Sequence, residues 1–201
     1  MGRPEMDGIR HHTMGLLGSV LSDSGRPEEA LPVFEAALAL TLRYGSQGEN
    51  PILFLQHNLA SCLDILKRHD EALVIRREVY ARRQVVNGVS HEQTIGSGCN
   101  VACSLMDLGR WDESRTLLRD QLLPAARRSL GSDHDFTLNI VSNIAEVLRD
   151  NPERTRNDLL EAVTLMEDAA QRRRRVFGPA HPRTRSSERD LSDLRERLAR
   201  A

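Results

Sequence analysis

A short triplet returns along this chain at a nearly constant interval. Asn58-Leu59-Ala60 is followed by Asn100-Val101-Ala102 and Asn143-Ile144-Ala145, at offsets of 42 and 43 residues. A second mark keeps step with it: Glu29-Ala30, Glu71-Ala72, Glu113-Ser114 and Glu161-Ala162. Self-similarity at such a period belongs to stacked arrays, in which each unit buries its apolar face only against its neighbours. Apolar residues inside each period follow helical spacing, as in Leu55, Leu59 and Leu63, and no stretch alternates with period two. The period therefore predicts an all-α solenoid of helix-turn-helix repeats over 6–48, 49–90, 91–133 and 134–180, with a final polar helix over 183–200 as a cap. The whole chain, 1–201, reads as one such array.

Punctuation sharpens the boundaries. Ser24-Gly25 separates two helices, and Pro27 with Glu28 and Glu29 suits the first turn of the second. Gly45 and Gly48 end that helix, and Gly88 and Gly131 end the two repeats that follow. Pro32 is expected to shift or kink the start of its helix, and Pro124 to kink or break LLRDQLLPAARRSL. The fourth inter-helix turn, DNPERTRND, is five residues longer than the second: Asn143 to Ala162 is 19 residues, Asn58 to Ala72 is 14.

Small residues recur where paired helices must cross: Gly18 with Ala30, Ala60 with Ala72, Ala102 with Ser114, and Ala145 with Ala162. Together with Asn-Leu-Ala-Ser-Cys-Leu, Gly-Arg-x-x-Glu at Gly109 to Glu113 and Leu-Gly-Ser-Asp-His at 130–134, this resembles the tetratricopeptide repeat in its longer, kinesin light chain-like form. The resemblance implies a right-handed α-solenoid of about four repeats. Its concave face is built from the first helix of each pair and takes up a partner peptide or helix. The implied role is a non-catalytic protein–protein interaction scaffold. The alternative is a regulatory or oligomerisation segment of a larger signalling protein such as an NTPase, with self-association possible in principle for such a surface.

Carried onto this sequence, the concave positions include His12, His57, Asp64, Cys103, Met106, Asp107, Glu146 and Arg149, with Asn58, Asn100 and Asn143 as a ladder. A carboxamide both donates and accepts, so such a ladder can hold a ligand backbone whatever its side chains. Asp23, Asp64, Asp107, Glu146 and Asp150 outnumber Arg149 on the same face, which favours a partner with basic residues.

Other chemistry is excluded or read as structure. A net charge of −1 gives no general attraction to nucleic acid, and no run reaches the ~18 apolar residues of a membrane helix. Three cysteines, an odd number inside helical patterns, fit a reducing, cytoplasmic setting. Cys62, Cys99 and Cys103 lack metal-ligand spacing and read as buried small residues, so no metal or cofactor is expected. His91, His134 and His181, one per repeat, read as a structural linker element. Arg172 to Arg175 read as solvated helix surface, and Trp111 as a core residue between helices. Neither a Gly-rich phosphate loop nor HExxH nor GxSxG is present, so no enzyme is expected.

Overall fold

A computed structural model describes residues 4–44 and 50–201, with side chains from residue 13 in the first stretch and from 51 in the second. Gly45, Gly48 and the His12 side chain lie outside the described residues. Every regular element among the described residues is helical: α1 (Pro4–Asp23), α2 (Pro27–Tyr44), α3 (Asn50–Ile65), α4 (His69–Asn87), α5 (Glu92–Asp107), α6 (Trp111–Thr116), α7 (Leu123–Ser129), α8 (Asp135–Asp150), α9 (Arg156–Phe177) and α10 (Pro182–Arg200). A π-helical stretch, Leu117–Leu122, joins α6 to α7 without interruption. The fold is an all-α repeat fold.

Two local devices generate the up-and-down path. Between the helices of a pair, Gly109 takes φ +69° while its N–H bonds Met106 O at 2.9 Å and Arg110 N–H bonds Leu105 O at 2.8 Å. That is the six-to-one, five-to-two closure that satisfies the last carbonyls of a helix. Lys67 makes the same closure at φ +61°, where a side chain is strained. The next arginine then grips the glutamate three residues on: Arg26–Glu29, Arg68–Glu71 and Arg110–Glu113. Between repeats, a glycine ends one helix and a histidine three residues later caps the next. His91, His134 and His181 accept through Nδ1 from the N–H of Gln93, Phe136 and Arg183 at 3.2–3.3 Å. The histidines are therefore structural, with a defined job: each satisfies an orphan donor of the following helix.

The chain divides into two compact units, Met1–Arg82 and Arg83–Ala201. In the first, α2 packs between α1 and α3, with Ala30, Phe34, Ala37, Leu55, Leu59 and Cys62 at its core. In the second, α8 rests on α5, α6 and α7, α9 on α8, and α10 on α9. The apolar face of α8 is wholly buried through Leu138, Ile140, Val141, Ile144, Val147 and Leu148. The small residues mark the close crossings as expected: Ala60, Ala72, Ala102, Ser114, Ala145 and Ala162 are all 0% exposed. Ser114 Oγ even donates to Ala102 O at 3.0 Å.

Proline acts differently from expectation. The helix runs on through Pro124 rather than breaking there. The π-helical stretch before it widens the turn, with Leu123 N–H bonded to Leu118 O, five residues back. The misfit of a ring without an N–H is thereby absorbed upstream. α2 likewise continues through Pro32.

The long fourth turn ends in a capping box. Thr155 Oγ1 accepts from Asp158 N–H at 3.2 Å, and Asp158 Oδ2 accepts from Thr155 N–H at 2.7 Å. The Thr155 hydroxyl, which donates to Asp158 Oδ2 at 2.6 Å, and after it the Thr155 N–H hold the Asp158 carboxyl below its ordinary value. Thr155→Ala should cost about 1 kcal/mol at neutral pH, read by urea denaturation. Because the folded value is depressed, Asp158 contributes this stability above its ordinary 3.8 and loses it as pH falls through the folded value. The deficit of the variant should therefore shrink in acid.

Candidate partner-binding face

In the second unit, one face carries polar groups from three consecutive first helices. On α5 these are Asn100 and Met106, half-buried, and Cys103 and Asp107, exposed. On α8 they are Asn143, Arg149 and Asp150, half-buried, and Glu146, exposed. Asp190 of α10 stands at the asparagine position of its own register and is half-buried. Asp190 is not among the site residues expected from the sequence; its place in the repeat register is the signal that could have included it.

The electrostatics follow from this grouping. Partial desolvation raises the Glu146 carboxyl, Arg149 opposes the rise, and Asp150, Asp190 and Asp107 add to it. Arg149 is held by Asp150, Nε to Oδ1 at 2.9 Å and Nη2 to Oδ2 at 2.6 Å, and reaches Glu146 at 3.5 Å. Arg197 lies 3.6 Å from Asp150. Four carboxylates thus face the guanidinium groups of Arg149 and Arg197, with the buried Arg173 also acting on Asp190. Among the described residues the Asn143 carboxamide makes no hydrogen bond, whereas Asn100 has a partner.

In the first unit the same positions are tied up internally. Asn58 Nδ2 donates to Ser19 Oγ at 3.3 Å, bonding α3 to α1. Asp64 is paired with Arg76 at 2.5 Å and lies 3.1 Å from His69 Nδ1. His57 is half-buried and has a partner of its own, and Asp23 is exposed.

Three expectations are corrected. Of the cysteines, only Cys62 is buried; Cys99 is half-buried and Cys103 exposed. Register explains the split, since Cys62 shares its position with Ser104 and Val147, whereas Cys103 shares that of Ser61 and Glu146 on the polar face. Burial pushes the Cys99 thiol up to about 12, so it is inert as a nucleophile.

The arginine run is only in part solvated surface: Arg174 and Arg175 are exposed, Arg172 is half-buried and Arg173 is buried. Arg173 is 5% exposed, donating to Ser142 Oγ at 3.0 Å, to Asn139 Oδ1 at 2.7 Å and to Ser187 Oγ. Burial lowers its pKa, and Nε–H finds no partner. Arg172 and Arg175 both clasp Asp133, and Arg174 reaches Glu188. The run points in several directions, as helical geometry requires, but each direction meets a neighbouring element.

Trp111 is not core. It is half-buried and lines an open cleft of about 340 Å3 with Asn151, Pro152 and Glu153 of the long turn.

Comparison with known proteins agrees with this architecture. Family profiles described as tetratricopeptide repeat match residues 10–84 and 153–183, together just over half of the chain. No curated protein sequence matches it. A crystal structure of Podosopora anserina kinesin light chain nearly identical TPR-like repeats is similar, with TM-score 0.74 and 20% identity, covering 99% of this chain and 96% of that one. BtubC (BKLC) from P. vanneervenii superposes with TM-score 0.64 at 13% identity over 98% of this chain and 81% of that one. Rap protein complexed with competence and sporulation factor gives TM-score 0.57 at 16% identity over 95% of this chain and 53% of that one. At these identities the likeness is one of fold. The recurring small-residue crossings, the matched profiles and the shared architecture lead to one assignment: the chain belongs to the tetratricopeptide repeat family.

Proposed function

We propose that this protein is a non-catalytic interaction scaffold that takes up a peptide segment bearing basic side chains on the polar face of α5, α8 and α10. The observation that carries the reading is the Asn143 carboxamide, half-buried and without a hydrogen bond, set among Asp107, Glu146, Asp150 and Asp190. A free carboxamide can meet both the N–H and the C=O of a ligand backbone. The surrounding carboxylates outnumber their arginines and favour a lysine or arginine on the ligand. Glu146 favours such a ligand, because a nearby cation offsets the desolvation, and after it the repulsion from Asp150, Asp190 and Asp107, that raise its carboxyl. Rap protein, of similar fold, is described as complexed with competence and sporulation factor, which supports a binding role for such a fold here.

The test is affinity capture from source lysate, followed by titration calorimetry with the captured partner. Asn100→Ala with Asn143→Ala should weaken binding roughly tenfold or more, since each lost hydrogen bond is worth about 0.5–1.5 kcal/mol. Helicity and melting temperature should change little. Glu146→Gln should reduce affinity most at low salt. A double variant that unfolds, or one that binds with unchanged affinity, removes the asparagines from the ligand site.

A further inference from the structure

The extra residues of the fourth inter-helix turn build a feature that the shorter turns lack. Trp111 opens α6 at the register position of Pro27 and His69. Within the first unit those two positions are closed: Pro27 is buried, and His69 Nδ1 lies 3.1 Å from Asp64. Trp111 is half-buried, its indole N–H bonds nothing among the described residues, and no ring or cation stacks on it there. Asn151, Pro152 and Glu153 of the long turn complete the cleft beside it. That turn is held in shape. Asn151 Oδ1 accepts from Glu153 N–H at 3.0 Å, and Asn151 O accepts from Arg154 N–H at 3.1 Å and from its guanidinium at 3.3 Å.

We propose that this cleft takes up an arginine side chain of a partner protein, with the guanidinium plane against the Trp111 indole and its N–H groups on the Glu153 carboxylate. Three carboxylates and one guanidinium line the cleft. Arg110 is held by Glu113, Nε to Oε1 at 2.6 Å and Nη2 to Oε2 at 2.8 Å, and Asp112 Oδ1 accepts from Arg115 at 2.9 Å. Glu153 is exposed, and its carboxylate has no partner among the described residues, since Arg154 beside it turns to Asn151 O instead. An aromatic face attracts a cation through its ring quadrupole, tryptophan most strongly. A guanidinium suits the pair of walls better than an ammonium does, because it is planar, more weakly hydrated and able to fork onto a carboxylate. An anionic ligand would meet three carboxylates. An apolar side chain would strip water from Glu153 and the indole N–H and return no bond to either. The volume stands at the lower end of the ~300–1,000 Å3 of ligand pockets, and the open mouth admits a side chain presented by another protein. No residue of the cleft wall belongs to the polar face of α5, α8 and α10, so this site stands whether or not that face binds a peptide.

Trp111 is the single tryptophan of the chain, so its emission reports on the cleft. Acetyl-Gly-Arg-Gly-amide added to the whole chain should change that emission saturably, whereas N-acetyltryptophanamide in the same solution should show only linear, collisional quenching. Matched peptides with lysine in place of arginine should bind more weakly, and those with leucine or glutamate should give no saturable change. Glu153→Gln should weaken arginine-peptide binding roughly threefold or more at low salt and leave far-ultraviolet circular dichroism unchanged. Asn100→Ala with Asn143→Ala should bind the arginine peptide as the wild type does. The indole N–H resonance of the wild-type protein gives a reading that needs no variant: it should move with the arginine peptide and hold still with the leucine peptide. A wild-type response that does not saturate overturns the proposal. So does equal affinity in Glu153→Gln, an equal response to the lysine, leucine or glutamate peptide, or an indole resonance that ignores arginine. Binding lost in the double asparagine variant and kept in Glu153→Gln would place the peptide on the polar face and overturn it as well.

Discussion

Phe34→Ala is expected to destabilise the first unit by about 3–5 kcal/mol, the usual cost of removing a buried phenylalanine. Phe34 is 1% exposed and sits where α1, α2 and α3 converge. A Cβ built on Gly18 would come within 2.7 Å of its ring, so glycine there exists to admit the phenyl group. Truncation leaves a void that α1 cannot fill, because Gly18 has no side chain to offer. A domain typically holds only about 5–15 kcal/mol in reserve. In an array stabilised by nearest neighbours, the loss stays local. Urea denaturation followed by circular dichroism should then show an early step, and hydrogen exchange should assign it to α1–α3. A single, undisplaced transition would refute this account of the core.

Arg173→Ala is the second large effect, expected at about 2–4 kcal/mol and concentrated on the docking of α10. The guanidinium joins Asn139 and Ser142 of α8 to Ser187 of α10, so one side chain of α9 bridges both its neighbours. Hydrogen bonds from a charged donor contribute about 1.5–3 kcal/mol each. Two facts offset them: the charge is buried without a contacting carboxylate, and Nε–H is unbonded. Arg173→Met separates the terms, because it keeps most of the volume and removes the charge. Replacing a buried ion by an apolar side chain of similar size is often close to neutral, so the methionine variant should lie within about 1 kcal/mol of wild type. Limited proteolysis should release α10 from the alanine variant and not from the methionine variant. Equal losses in both would show that the hydrogen bonds, rather than the packing, hold α10.

The asparagine ladder shows how far register reasoning reaches. Asn58, Asn100 and Asn143 are equivalent in sequence, yet Asn58 bonds Ser19 across two helices and Asn143 is left without a partner. The difference lies outside the triplet: Asn58 meets Ser19, and the register counterpart of Ser19 in the repeat before Asn143 is Cys103. The cysteines divide for the same kind of reason, since a shift of one residue along a helix moves a side chain by about 100° around its axis.

The helix-turn-helix repeats, the histidines as a structural linker element and the small-residue crossings were legible from the sequence. Each is a local matter, decided by a residue and its neighbours within about four positions, and the repeat states each rule several times over. Burial of Arg173, the π-helical accommodation of Pro124, the internal pairing of Asp64 and the cleft beside Trp111 were decided only when the helices packed. They depend on which side chains from distant segments share a space, and a linear pattern carries no information about a missing or oversized neighbour.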